Sequence, residues 1–275
     1  AAPRSPDSAP GATPAATPAI ANRAAGLAPL LLVAALTGLS SFIYEIVWIR
    51  MLGLVLGSST HAFELMLSSF ILGLALGGYW IKSRIDHVPD MMRYLATVQI
   101  VMGVLAFATL PVYNEMFDLM AWFLRAMAKT DDGYVLFNLA SKLIAVLVMV
   151  PATFMAGMTL PLITYQLLRS PVGEKSIGYV YAANTTGAIV GVILTVHLLL
   201  PHLGLKGALV TGASIDIALG WLLFARYASG KSDTAYRWTW SLAGGVLALY
   251  IGIFSVLDPL RLASGVYRVG EARMN

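Results

Sequence analysis

The stretch Leu27-Ala-Pro-Leu-Leu-Leu-Val-Ala-Ala-Leu-Thr-Gly-Leu-Ser-Ser-Phe-Ile-Tyr-Glu-Ile-Val47 decides the fold class. It carries a single formal charge, Glu45, and is long enough to cross the roughly 30 Å hydrocarbon layer as a helix, which takes about 20 apolar residues. Similar runs occupy 62–81, 94–112, 134–168, 177–200, 206–225 and 238–257. The composition agrees: 58% of the 275 residues are hydrophobic, 12% are charged, and the mean hydropathy is +0.77. Soluble domains are nearer a quarter charged, so a chain this apolar has too little polar surface to face water. Lipid removes the conflict, provided that the backbone satisfies its own hydrogen bonds as helix. An all-α polytopic membrane protein is expected, with about seven transmembrane helices in a domain over 25–257 and a lipid bilayer as its solvent.

The flanks differ. Residues 1–24 are mostly Ala, Pro, Ser, Thr and Gly, with prolines at 3, 6, 10, 14 and 18. That spacing opposes a helix and predicts a disordered tail. It lacks the basic-then-apolar layout of a signal peptide, and the absence of Met at position 1 suggests a start inside a longer product. Gly57-Ser58-Ser59 reads as the break after the first span. In 113–133, Glu115, Asp118, Arg125, Lys129, Asp131 and Asp132 alternate with Met116, Phe117, Leu119, Trp122, Phe123 and Leu124, the pattern of one interfacial amphipathic helix. The run 134–168 is too long for one straight crossing, and Pro151 and Pro161 are expected to kink or break it.

Orientation follows from Lys and Arg in short loops. With the N-terminus cytoplasmic, the inner segments hold Arg4, Arg23, Lys82, Arg84, Arg93, Arg169, Lys175, Arg226, Lys231 and Arg237; the outer ones hold Arg50, Arg125, Lys129 and Lys206. Seven crossings then place the C-terminus outside, in the periplasm if the membrane is a bacterial inner (plasma) membrane, although Arg261, Arg268 and Arg273 pull the other way. The net charge of +4 is distributed in these loop clusters and not as a nucleic-acid stripe, so no nucleic-acid partner is expected.

Small residues mark helix packing. Gly73 and Gly77 on the second span, and Gly187 and Gly191 on the fifth with Ala183 one turn earlier, let backbones approach closely. Packing within one chain and a homodimer seam both use such motifs. Ionisable groups in spans are expensive, roughly 2.5–3.5 kcal/mol each at mid-bilayer, and are therefore candidate functional residues. Asp216 falls near the centre of the sixth span, with Asn184, His197 and Lys142 as candidate partners. Glu45 and Glu64 flank the first hairpin, where Arg50 and His61 also lie. Glu45, Arg50 and Glu64 either neutralise one another or, with the acids leading, form a mouth for a cation such as an amine. Glu45, Glu64, Asp216 and Asn184 are the candidate substrate-binding residues; Arg50, His61, Lys142 and His197 complete a structural polar set.

Catalytic patterns are missing. With no cysteine there is no thiolate site or disulfide, and no His-x-x-x-His pair or phosphate-cradling glycine loop after a strand occurs. No metal site and no cofactor is expected in this chain, and no serine has a nucleophile-elbow context.

Three stretches together resemble a known family. Leu36-Thr-Gly-Leu-Ser-Ser-Phe-Ile-Tyr-Glu-Ile-Val-Trp-Ile-Arg-Met-Leu52, continuing through Leu56-Gly-Ser-Ser-Thr-His-Ala-Phe63, resembles the first hairpin of membrane-bound spermidine-synthase-like proteins, the fused major-facilitator/spermidine synthases. Gly157-Met-Thr-Leu-Pro-Leu162, and Tyr181-Ala-Ala-Asn-Thr-Thr-Gly-Ala188 with the following Pro201-His-Leu-Gly-Leu205, are similar to two further stretches. The resemblance covers most of 27–257. It implies that six of the helices resemble a major-facilitator half and that a soluble aminopropyltransferase-like domain follows. Residues 258–275, with Ala263-Ser-Gly-Val-Tyr-Arg-Val-Gly270, look like the lead-in to it, and any catalytic residues would lie there. The loop Lys82-Ser-Arg84 departs from the transporter motif, which has a Gly and an Asp-Arg pair in fixed register. The implied function is a membrane domain that anchors such a protein and binds or handles a polyamine-type cation. A half-size small-solute transporter working as a dimer, and a structural subunit of a larger membrane complex, are the alternatives.

Overall fold

The computed structural model describes residues 18–126, 131–171 and 173–227, together with Gly244, Gly245, Leu257, Leu262 and Val266. The described chain is helical, with no strand among the described residues: α1 is Pro18–Leu56, α2 Thr60–Lys82, α3 Met91–Ala126, α4 Asp131–Leu168, α5 Lys175–Leu194 and α6 Leu200–Tyr227. A short 3-10 turn, Ile85–His87, links α2 to α3, and a π turn, Thr195–Leu199, joins α5 to α6. Among the described residues, five continuous helical stretches are long and apolar enough to cross a membrane: Leu27–Leu56, Thr60–Lys82, Met91–Arg125, Val135–Leu168 and Lys175–Tyr227. The expected seventh span, 238–257, lies almost wholly outside the described residues.

The last of the five is folded back on itself. Gly187 and Gly191 of α5 lie against Ala35 and Leu39 of α1, so α5 ascends with α1. Asp216 of α6 meets Ser40 and Tyr44, Gly212 meets Tyr44, and Gly220 meets Ala96 and Ile100, so α6 descends against both α1 and α3. The reversal falls at Gly204, whose φ of 66° and ψ of −172° lie in a region open essentially to glycine alone. The π turn just before it widens the helix next to Pro201, which has no N–H to donate; the Leu200 N–H reaches back to the Thr195 carbonyl instead. A Cβ at Gly204 has no atom within 4 Å. Gly204→Ala therefore tests backbone strain alone, and we expect a loss of about 1–3 kcal/mol in detergent unfolding curves.

Three expectations need correction. The helix α1 begins at Pro18, so 18–24 is helical and only residues before 18 remain for the expected tail; proline is tolerated in a first turn because its missing N–H has no partner there. Residues 113–126 are no separate interfacial helix but the continuation of α3 through Pro111. Their apolar face, Tyr113, Phe117, Met120 and Ala121, is buried against protein, the Tyr113 hydroxyl donating to the Met51 carbonyl at 2.7 Å. An amphipathic stripe is covered by whichever apolar surface is nearest, and here that is α1 and α4. Finally, α4 runs through Pro151 and Pro161 as one helix, without the break that was the alternative to a kink. The break at 57–59 is present: Gly57 has φ 89° and Ser59 caps α2, its hydroxyl accepting from Ala62 N–H at 3.0 Å.

Close backbone contacts hold the bundle. A Cβ on Gly73 would overlap Thr153, one on Gly77 the Phe154 carbonyl, and one on Gly157 the Leu74 carbonyl, so α2 and α4 pack backbone to backbone. Gly187 and Gly191 do the same for α5 on α1. All four motif glycines are thus used within the chain, while Ala183 is half-buried beside them. Large apolar side chains face outward: Ile71, Leu72 and Leu76 on α2, Leu139, Leu143 and Leu147 on α4, Ile189, Val190 and Ile193 on α5. Such a surface is stable against acyl chains and costly against water.

Candidate functional site: a buried polar junction

Among the described residues the interior has two hydrophobic clusters, one gathering Trp48, Met51, Tyr113, Phe117 and Ala213, the other Ala34, Met91, Ile100, Leu219 and Phe224. Between them α1, α3 and α6 bring together Thr37, Ser40, Tyr44, Gln99 and Asp216, none more than 2% exposed. Asp216 accepts from the Ser40 hydroxyl at 2.6 Å through Oδ1 and from the Tyr44 hydroxyl at 2.5 Å through Oδ2. Ser40 Oγ also lies 3.1 Å from the Thr37 carbonyl. The Gln99 Nε2 donates to Thr37 Oγ1 at 2.5 Å, whereas its Oε1 is buried with no hydrogen-bond partner among the described residues.

Local sequence explains the assembly. Thr37, Ser40 and Tyr44 follow one another at i, i+3 and i+7, which places them on one stripe of α1. Around Asp216, Gly212 and Gly220 let α6 approach: a Cβ on Gly212 would stand 2.9 Å from the Tyr44 ring, and one on Gly220 would be 2.6 Å from the Ala96 carbonyl. Gly103 of α3 closes the third side against Ala213 and Ile217. In apolar surroundings a carboxyl group is stable only with hydrogen-bond partners, and here both oxygens have one.

The sequence located Asp216 but not its partners. Asn184 packs its backbone and side-chain oxygens against Gly38, on a different side of α1 from Ser40. His197 and Lys142 are exposed, so none of the three anticipated partners meets Asp216. The hydroxyl stripe of α1 and a glutamine inside an apolar run were the available signals. At the first hairpin, Glu64 pairs with His61 at 3.8 Å, both exposed, while Glu45 is half-buried and Arg50 exposed. Among the described residues no ion pair joins Arg50 to Glu45 or Glu64, so the expected cluster does not form.

Neither a family model, a curated protein nor a solved structure matches the chain. The chemistry is therefore read from the site itself. Among the described residues no three His, Cys, Asp or Glu side chains gather as a metal-binding group. The junction supplies oxygen atoms from a carboxyl, two hydroxyls bonded to it, and an adjoining threonine and amide. Such a set can hold three helices in register, and it can accept a cation.

At one end of the bundle the α2–α3 link meets α4, where Tyr165 donates to Asp86 at 2.7 Å. Arg84 lies 4.1 Å above the Trp80 ring and Arg169 lies 4.3 Å above the Tyr165 ring. Aromatic and basic side chains paired in this way are typical anchors at a membrane–water boundary.

Proposed function

We propose that this chain is the integral membrane domain of a spermidine-synthase-like protein, anchoring it in a bacterial inner membrane and binding a polyamine-type cation at Asp216. The observation that carries the reading is the carboxyl of Asp216, buried at mid-bundle with hydroxyl partners. An ionisable group is costly inside a span, which makes it a functional candidate by default. A terminal ammonium of a polyamine brings one charge and three donors, which matches the carboxyl and the oxygens of Ser40 and Tyr44. Entry requires α6 to part from α1, for which the glycine-rich contact and the Gly204 reversal provide a hinge.

The topology fits an N-terminus in the cytoplasm, because Lys82, Arg84, Arg93, Arg169, Lys175 and Arg226 belong to the same end of the bundle. Six helical arms of alternating direction, α1 to α6, suit the six-helix half that the sequence resemblance implies. A dimeric transporter gains less support, since Gly73, Gly77, Gly187 and Gly191 are occupied within the chain. A structural subunit is favoured by the exposed apolar sides of α2 and α5.

Spermidine binding to the purified protein in detergent tests the proposal. Calorimetry is expected to show saturable binding that weakens at least about tenfold, or roughly 1.4 kcal/mol, in Asp216→Asn. Glu64→Ala, at an exposed site, is expected to bind as the parent does. Absence of binding in the parent overturns the polyamine reading and leaves the structural one.

A further inference from the structure

We propose that the junction of Thr37, Ser40, Tyr44, Gln99 and Asp216, in the closed packing seen here, is a binding site for a dehydrated monovalent metal cation of the sodium class. The inference rests on the reading of Asp216 as a cation centre and names the ion that occupies it while the helices are together. Its starting point is Gln99. The residue is fully buried, its Nε2 is engaged by Thr37, and its Oε1 has no partner among the described residues. A buried amide oxygen without a donor is destabilising, by about 1–3 kcal/mol, unless something positive faces it. With Nε2 on Thr37 Oγ1, the unpaired end of the amide is its acceptor, Oε1.

The donor set selects the class of ion. Asp216, Ser40, Tyr44, Thr37 and Gln99 present oxygen atoms, with no sulfur or imidazole nitrogen among them. Oxygen sets favour hard cations over zinc or copper. One carboxylate supplies one negative charge, so a monovalent cation leaves the junction neutral. A divalent ion would leave a net positive charge between two apolar clusters, where an uncompensated charge is very costly.

Size gives the third argument. Gly212 rests on Tyr44 and Ile43, Gly103 on Ala213 and Ile217, and Gly220 on Ala96 and Ile100, so even a single methyl group would collide on each of these contacts. A polyamine's methylene stem needs the helices to separate, and a bare ion needs far less room. Sodium bound to the closed form then opposes entry of the amine and holds α1, α3 and α6 together.

The experiment is thermal unfolding of the full chain in detergent, with NaCl replaced by choline chloride at constant ionic strength, alongside spermidine calorimetry. Sodium is expected to raise Tm by about 3 °C or more, since a ligand that binds only the folded state stabilises it in proportion to the logarithm of its concentration. The rise is expected to vanish in Asp216→Asn. In Gln99→Leu, which keeps the carboxyl and both hydroxyls, the sodium midpoint is expected to move up about tenfold, the usual cost of losing a supporting ligand. Equal Tm in sodium and choline, or a sodium rise that survives in Asp216→Asn, overturns the inference. So does an unchanged midpoint in Gln99→Leu, which keeps the test open should Asp216→Asn fail to fold. Spermidine binding without a sodium effect overturns this inference alone and leaves the polyamine reading standing; absence of both effects removes the two together.

Discussion

Gly187→Leu is expected to drive α5 off α1 and to cost at least about 3 kcal/mol, the upper part of the range for overpacked sites. Any Cβ at this position overlaps the Ala35 carbonyl, with Ala35 Cα and C also inside contact distance. The obstacle is backbone of a helix packed on several neighbours, so it cannot swing aside as a flexible side chain would. Gly38 makes the reciprocal approach to Asn184, which confines α1 and α5 from both sides. In detergent the variant is expected to unfold at least about 6 °C below the parent, or to fail to reach the folded state. Gly178 of the same helix is the control, because a Cβ there meets nothing within 4 Å. Gly178→Leu is expected to leave Tm within about 2 °C, as exposed substitutions usually stay within 0.5 kcal/mol. Equal effects at the two positions would show that the contact with α1 does not govern the loss at Gly187, since helix propensity favours leucine over glycine at both.

The second large effect is expected from removing both hydroxyl partners of Asp216 at once. Ser40→Ala with Tyr44→Phe leaves the carboxyl buried with neither Oδ1 nor Oδ2 satisfied. Each unpartnered buried group costs about 1–3 kcal/mol, although hydrogen bonds between membrane helices average nearer 0.6 kcal/mol because the unfolded helices find other partners. We therefore expect about 2 kcal/mol for the pair, above the sum for either change alone. Adding Asp216→Leu to the same background is expected to recover most of that loss, since an apolar trio has no group left to satisfy. Reversible unfolding of the set in one detergent, analysed as a mutant cycle, measures the coupling. A triple variant no more stable than the double would mean that packing around Gly212 and Gly220, rather than the carboxyl, dominates the energetics here.

How far the site was legible follows from its residues. Asp216 stands out because a carboxyl in an apolar run breaks the pattern of its own segment. Ser40 and Tyr44 break nothing, since hydroxyl side chains are ordinary in membrane helices, and their role depends on a partner 176 and 172 positions away. Asn184, His197 and Lys142 were plausible by depth alone, yet depth does not say which side of a helix faces which neighbour. The reading of 113–126 as a separate helix failed for a related reason, while 127–130 lie outside the described residues. An amphipathic pattern reports that one stripe is apolar and not whether lipid headgroups or other helices cover it.

The sequence by itself determined that the chain is helical with segments long and apolar enough to cross a membrane, where most of the described helices run, and where α2 begins. Those features follow from hydrophobic length and turn residues, which act within a few positions of the chain. Only the tertiary structure decided that α3 continues through 113–126, that Gly204 reverses the last helical stretch, and that Asp216 belongs to Ser40 and Tyr44. Such outcomes depend on which surfaces close on one another, and the near contact of glycine backbones from distant segments sets that closure.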